Sequence, residues 1–239
     1  MCGRFPQTQS SGTIAAAFQL SVLPQLEPRY NIAPTQAVAA VLQTLDSQQR
    51  QCKFLRWGLI PSWAKDPAIG SRLINARAET ASEKPSFRAA FKKRRCLILA
   101  DGFYEWQRQE GGKQPFYFQL QHGVPFAFAG LWESWRGDGE GAIASCTILT
   151  TTANSFMQPY HHRMPVILNP TDYDRWLDPA LQTPAQLQTL LCPYPPEAMT
   201  AYPVSKAVNK ATHDSPACIR RAAGRKQQAE SIEQLSIME

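Results

Sequence analysis

The sequence predicts an α+β chain: a single domain with a mainly antiparallel, barrel-like sheet and peripheral helices. Three observations carry that expectation. Segments with strand patterning outnumber helical ones. They follow one another in hairpin-like succession. Strand–helix–strand alternation is absent, which disfavours a parallel doubly wound sheet. The 239 residues are 44% hydrophobic and 18% charged, an ordinary globular mix that excludes wholesale disorder. A chain of this length buries roughly 70% of its unfolded surface and needs no disulfide or metal staple. There is no internal repeat, and no linker precedes residue 206. The expected domain is therefore 2–218, followed by a polar, flexible tail over 219–239 that is basic first and acidic later.

The elements follow in order. Residues 9–20 suit a short helix, because Ile14 and Phe18 are four apart and Ala15 to Ala17 favour helix. Pro24, Pro28 and Pro34 make 24–36 irregular. Residues 37–44 (AVAAVLQT) and 51–57 (QCKFLRW) read as strands joined by a polar turn. Residues 58–72 read as a long structureless loop with two Pro and two Gly, a length that is more often functional than not. Residues 82–92 suggest a helix, with Pro85 in its first turn and Phe87 and Phe91 four apart. Residues 96–100 (CLILA) form a strand of the buried type, and Glu110 to Lys113 a hairpin turn. Residues 125–132 and 145–151 are further strands. A helix over 184–191 is signalled by Thr183 as N-cap, Pro184 at the first position and Gln186 closing a capping box.

Charge and cysteine usage narrow the partners. Twenty-five Lys and Arg against 19 Asp and Glu leave +6, which favours an anionic partner. The six cysteines form no C-x-x-C pair and no zinc-finger array with the four histidines. A disulfide scaffold and a metal site are not expected, and the thiols read as reduced and mostly buried. No apolar run approaches the ~18 residues of a membrane helix, and no targeting signal is seen. The expected location is the cytoplasm, with no membrane partner.

Four segments carry possible chemistry. Cys2 stands directly after the initiator Met1, which a residue as small as Cys allows to be removed. The chain would then start with a thiol and a free α-amine, whose reference pKa values are about 8.5 and 7.7–8.0. Such a 1,2-aminothiol condenses with an aldehyde to a Schiff base and closes a thiazolidine. Position alone leaves open that Cys2 is merely the second residue of a frayed start. In Leu73 to Thr80, residues Asn75, Arg77 and Glu79 would share one face of a strand and suit ligand orientation or phosphate contact, or form a solvated edge. In Ala100 to Trp106, Glu105 lies between aromatics, a setting for general acid/base work or for an ion pair with an arginine. His161 and His162, if on a strand, point to opposite sides, so at most one faces a site. A proton-transfer histidine fits better than a metal ligand, because no third ligand stands at a recognisable spacing.

In combination these segments are specific. Cys2-Gly3-Arg4-Phe5 is followed by Tyr30 to Thr35, Arg56 to Ala64 and Ile74 to Thr80. Arg95 to Ile98 with Ala100 to Trp106 come next, then His161 to Pro165. In this order they resemble the SOS response-associated peptidase family of abasic-site processing proteins, and the likeness runs from residue 2 to Asn209. The resemblance implies a protein that binds abasic single-stranded DNA and cross-links to it through a thiazolidine at Cys2. It implies that Asn75 holds the N-terminal residue and the sugar, that Glu105 shuttles protons, that His161 assists ring opening, and that Thr150 joins the site. Arg4 and Arg77 are the candidates for phosphate contact, and Trp63, Met164 and Pro165 for stacking against bases or wedging them apart. Trp63 is followed by Ala64 where certain members have a second Trp. No cofactor and no metal is implied, and a monomer is expected, nucleoid-associated when on DNA. Self-processing to expose Cys2 and weak abasic-site lyase activity are the further implications.

Two rivals remain. An N-terminal-nucleophile amidohydrolase also starts Cys-Gly, but its sandwich fold needs motifs this chain lacks. A non-catalytic DNA-binding module would use Lys92 to Arg95 (KKRR), which otherwise reads as a solvated basic face.

Overall fold

The computed structural model describes residues 2–44, 47–137 and 141–222. In chain order the first strands are β1 (Phe5–Gln7), β2 (Arg29–Ile32), β3 (Ala37–Thr44), β4 (Ser47–Trp57), β5 (Asn75–Arg77) and β6 (Arg95–Ala100). They are followed by β7 (Phe103–Gln109), β8 (Gly112–Leu120), β9 (Phe126–Trp135), β10 (Ile143–Thr152), β11 (Arg163–Pro165) and β12 (Met199–Pro203). The helices are α1 (Ser11–Phe18), α2 (Ala78–Ala81), α3 (Arg88–Lys93), α4 (Tyr173–Leu177) and α5 (Pro184–Gln188).

Five strands close into a ring in the order β10, β4, β3, β6, β9 and back to β10. Every seam is antiparallel except β10 with β4. The expected α+β, antiparallel-rich barrel is what forms. Closure pairs the backbone around the ring and removes the edges that would otherwise template aggregation. Alternation along the strands splits the core in two. Val38, Ala40, Leu42, Ile98 and Phe128 belong to one buried cluster, with Cys2, Phe5 and Trp57. Val41, Leu97, Leu99 and Ala129 face the other, against the helices. A separate antiparallel sheet runs β12, β8, β7.

Strand β10 is the hub of the fold. Ser145 and Cys146 pair with β4, and further along the same strand Ile148 to Thr150 pair in parallel with β5. Along it, residues 143–148 pair with β9 and 150–152 with β11. Its end therefore carries two short strands, β5 and β11, and with them the segments around Asn75 and His161.

Several local expectations change. The 58–72 loop is not structureless: Pro67–Arg72 is a 3-10 helix whose cap, Asp66, accepts from the Ala68 amide at 2.8 Å. The predicted 82–92 helix begins only at Arg88, as α3; Pro85 lies in the turn that links it to α2, a short helix that ends at Ala81, before the predicted span. A proline disfavours helical backbone in the residue before it, so helix resumes only at Arg88. The 184–191 helix ends at Gln188. Its capping box does not form, because the Thr183 carbonyl rather than its hydroxyl takes the Gln186 and Leu187 amides.

The KKRR run is not a basic face. Lys92 and Lys93 are exposed, but Arg94 pairs with Glu133 at 2.6 Å. Arg95 is 2% exposed and donates to the carbonyls of Phe91, Lys92, Trp176, Asp178 and Leu181, tying α3 to the end of α4. Burial pushes its guanidinium down to about 10. Of the six free cysteines four are buried, Cys52 is half-buried and Cys192 is exposed. The chain beyond 218 is docked as far as it is described. Val204 bridges Arg221, the Ala222 amide donates to the Pro203 carbonyl at 2.8 Å, and the Tyr202 hydroxyl donates to the Ile219 carbonyl at 2.9 Å. The rest of the predicted tail, 223–239, lies outside the described residues. Among the described residues no helix is long and apolar enough to cross a membrane.

Candidate active site

The N-terminal segment lies along the corner between β6 and β7. The Tyr104 amide donates to the Arg4 carbonyl at 3.0 Å and the Asp101 amide to the Pro6 carbonyl at 3.2 Å. Asp101 answers by accepting from the Thr8 amide, the Thr8 hydroxyl and the Gln9 amide. Gly102 is dictated by this corner, since a Cβ there would stand 2.3 Å from the Phe118 carbonyl oxygen and 2.4 Å from the Tyr117 ring. The next turn of chain carries Glu105, only 5% exposed. These five bonds fix the two segments in register and leave Cys2 within reach of the charge of Glu105.

Cys2 is fully buried, and it is not frayed. Asn75 Nδ2 donates to the Cys2 carbonyl at 2.8 Å. Asn75 Oδ1 is buried and makes no hydrogen bond among the described residues. It is an acceptor left for something else, because an orphaned buried polar atom costs about 1–3 kcal/mol unless a ligand or water satisfies it. Burial pushes the Cys2 thiol well above its ordinary range, and the negative charge of Glu105 pushes it further. Glu105 also acts on His161, against the burial that lowers that imidazole. The charge of Glu105 therefore acts on both Cys2 and His161.

Glu105 and His161 line a cavity of about 500 Å³, together with Trp106, Arg108, Lys113, Pro159 and Tyr160. His161 closes a turn that Asn154 nucleates. The Asn154 side chain accepts from the Met157 amide at 2.9 Å, and the His161 amide returns to the Met157 carbonyl at 3.0 Å. The histidines are thus on a turn rather than a strand, and their rings stack 4.4 Å apart instead of pointing to opposite sides. His161 Nδ1 lies 2.9 Å from the Arg163 amide and 3.2 Å from the Arg163 carbonyl, so the backbone of Arg163 holds that side of the ring.

The other expected site residues divide. Arg77 is exposed and shares a face of β5 with Asn75, while Ala76 between them enters the core. Glu79 leaves that face, because the strand ends at Arg77 and α2 begins. Its carboxylate instead grips Arg163 through two bonds of 2.6 and 2.9 Å, which hold it below its ordinary range. Thr150 is fully buried and structural in its contacts: its hydroxyl meets the Ala76 carbonyl at 3.4 Å and Arg163 Nη2 at 3.3 Å. Met164 is fully buried and Pro165 is buried opposite Thr150 in the β10–β11 ladder, so neither presents a surface that could wedge bases. Arg4 directs Nη1 to Asn31 Oδ1 and to the Val208 carbonyl, both at 2.9 Å, and is half-buried rather than offered to a ligand. Trp63 is 58% exposed but borders a separate depression of about 390 Å³ beside Ile69 and Arg72. No cluster of His, Cys, Asp and Glu that could hold a metal exists among the described residues.

Two residues were missed by sequence reasoning. Asn31, fully buried, binds Arg4 and donates to the carbonyls of Val208, Lys210 and His213. Arg163 joins Glu79 to the Thr150 carbonyl, at 2.6 Å from the latter. Both sit inside motifs quoted above. The available signal was a lone Asn between Tyr30 and Ile32 and an Arg directly before the apolar run Met164 to Leu168, positions that burial permits only with full pairing.

The chain matches the family model for SOS response associated peptidase (SRAP) over residues 1–211. It is 44% identical over 223 residues to the abasic site processing protein YoqW of Bacillus subtilis, covering 92% of this chain and 99% of that one. It is 34% identical to the abasic site processing protein HMCES of Xenopus tropicalis over 81% of this chain and 66% of that one. A crystal structure of a protein from Bacteroides thetaiotaomicron, 28% identical, superposes with a TM-score of 0.84 over 93% of this chain and 100% of that one. By matching family model and relatives alike, the chain belongs to the SOS response associated peptidase family.

Proposed function

We propose that this protein captures abasic sites in single-stranded DNA as a thiazolidine on Cys2, shielding the lesion in the DNA-damage response. The observation that carries the reading is the grip of Asn75 on the Cys2 carbonyl, with its second polar atom buried and without a partner among the described residues. The names of the relatives as abasic site processing proteins point the same way.

The chemistry needs Met1 removed, by self-processing in the sense of the family's peptidase name. The closed sugar first opens, a proton passing from the anomeric hydroxyl to the ring oxygen, and in this reading His161 relays it. The α-amine of Cys2 then adds to the aldehyde carbon C1′ and one water leaves, giving the imine. Sγ adds to the same carbon while the thiol proton passes, through Glu105, to the nitrogen. One C–N and one C–S bond thus replace the C=O, with a single water released.

The electrostatics order these steps. Burial and Glu105 both oppose a thiolate in the free protein. A protonated imine is a cation beside that thiol, and it reverses the balance, so the amine reacts first and the thiol second. β-Elimination from the same imine accounts for weak lyase activity. Arg77, exposed on the Asn75 face, takes a phosphate more readily than Arg4, whose Nη1 is already engaged. In this reading the protein acts as a monomer bound to DNA in the cytoplasm.

The test is a denaturing gel with abasic and intact single strands. Wild type is expected to give a denaturation-resistant adduct with the abasic strand only, and Cys2→Ala none. An adduct that survives in Cys2→Ala sinks the mechanism. So does active protein that retains Met1 by mass spectrometry.

A further inference from the structure

A second groove, of about 750 Å³, opens between the tip of the β7–β8 hairpin and the chain from Val204 to Ala222. Four cations line it, Lys113, Lys206, Arg220 and Arg221, against one carboxylate, Glu110. All four are exposed, and none forms an ion pair with a described residue. Lys113 borders both this groove and the 500 Å³ cavity of Glu105 and His161. Arg108, in register opposite Lys113, lies on the cavity side. A line of positive charge therefore leaves the candidate site and continues into the groove.

We propose that this groove holds the phosphodiester backbone of the DNA arm that leaves the lesion. The proposal rests on the abasic-DNA reading of the neighbouring cavity. Charge selects the ligand: four exposed cations without an ion-pair partner among the described residues, one of them, Arg221, lying 4.8 Å over the Tyr202 ring, face a single carboxylate and attract a polyanion. The lining also argues against a folded protein partner. It contains no aromatic side chain and no large exposed apolar one, so there is no anchor of the kind that carries protein interfaces. Without an aromatic floor there is nothing for bases to stack on, so the groove reads phosphates and not sequence. Its rim is low. Gly111 and Gly112 have φ of 86° and 134°, and a Cβ on either would meet nothing within 4 Å. The glycines serve the turn's left-handed backbone, and their bareness lets a bulky polyanion pass over the tip.

The experiment compares a minimal abasic oligonucleotide with two others that carry a long oligo-dT arm on either the 5′ or the 3′ side. Lys206→Ala/Arg220→Ala removes two cations remote from the cavity. Wild type is expected to bind one armed substrate more tightly than the minimal one, with a steeper salt dependence. The double variant is expected to lose that advantage while cross-linking the minimal substrate at the wild-type rate. Each single-strand phosphate contact contributes about 0.7 to the salt slope, so the slope should drop by about 1.4. Between about 50 and 200 mM salt, wild-type affinity for the armed strand should then fall about sevenfold more than the variant's.

Unchanged slope and affinity in the double variant overturn the groove. So does an equal loss on the minimal substrate, which would place the two cations at the lesion itself. Arm binding is measured at equilibrium and needs no cross-link. Arm-dependent binding without any adduct would therefore defeat the lesion chemistry and leave the groove standing.

Discussion

Replacing Asn75 by alanine removes two hydrogen-bonding functions from one place. Nδ2 holds the Cys2 carbonyl at 2.8 Å, and Oδ1 is buried with no partner among the described residues. The first bond positions the nucleophile, so its loss is felt in the rate at saturating DNA. A neutral hydrogen bond is worth about 0.5–1.5 kcal/mol net, which converts to a rate about 2- to 13-fold lower. The second atom is the acceptor we assign to the lesion's hydroxyl, worth about the same again. Together they give about 1–3 kcal/mol on the second-order rate constant, or roughly 5- to 150-fold. The assay is adduct formation over time on denaturing gels at a series of DNA concentrations. Asn75→Asp sharpens it: an oxygen remains for the lesion, but a second oxygen now faces the Cys2 carbonyl, so its saturating rate should be no better than alanine's. Asn75 is half-exposed at a strand end, so the variants should melt close to wild type. A second-order constant within twofold of wild type, with unchanged melting, would refute the assignment.

Three further outcomes are expected. Glu105→Gln should slow cross-linking by about 10²- to 10⁴-fold without abolishing it, because a proton shuttle assists the bonds but does not make them; single-turnover kinetics decide this. Burial holds His161 below the ordinary histidine value of 6.5, so the ratio of the wild-type to the His161→Gln cross-linking rate, in which the titration of the α-amine cancels, should stay level through neutral pH and fall only at pH below 6.5. The same shift has a sign for stability: the unfolded chain takes up this proton first, so the contribution is complete above pH 6.5 and is lost as the pH falls. Arg95→Met should lower the melting temperature by about 6–15 °C, because stranding several of the five buried carbonyls that Arg95 satisfies costs about 3–5 kcal/mol; calorimetry measures it, and a shift under about 2 °C would show that water replaces the guanidinium.

The strands were the most legible part of the chain. Residues 37–44 and the core of β4, β6, β9 and β10 carry their own pattern of apolar and β-branched residues over five to ten positions. Helix ends were less legible. Pro85 lies in a turn rather than in the first turn of the predicted 82–92 helix, which starts only at Arg88, and Thr183 shows that capping letters do not oblige the hydroxyl to cap. Within the candidate site, Cys2, Asn75, Glu105 and His161 are brought to one region, and Arg77 shares the Asn75 face. Thr150, Met164 and Pro165 were legible as positions but not as surfaces. They sit in the β10–β11 ladder, and burial there depends on which strands flank β10.

The sequence by itself determined the strand-rich α+β class and the reactive letter at position 2, and its ordered motifs determined the family. Those properties are written in residue type and short-range order, and neither needs a partner to be known. Only the tertiary structure decided how charge and polar groups are spent. Arg4, Arg94, Arg95 and Arg163 are all engaged inside the molecule, whereas Arg77, Lys113, Lys206 and Arg220 form no ion pair among the described residues. An arginine's sequence neighbours do not reveal whether a carbonyl or carboxylate 30 to 200 residues away will meet it. That is settled by ring closure, which brings β5 and β11 to the end of β10 and the chain's start to Asn75.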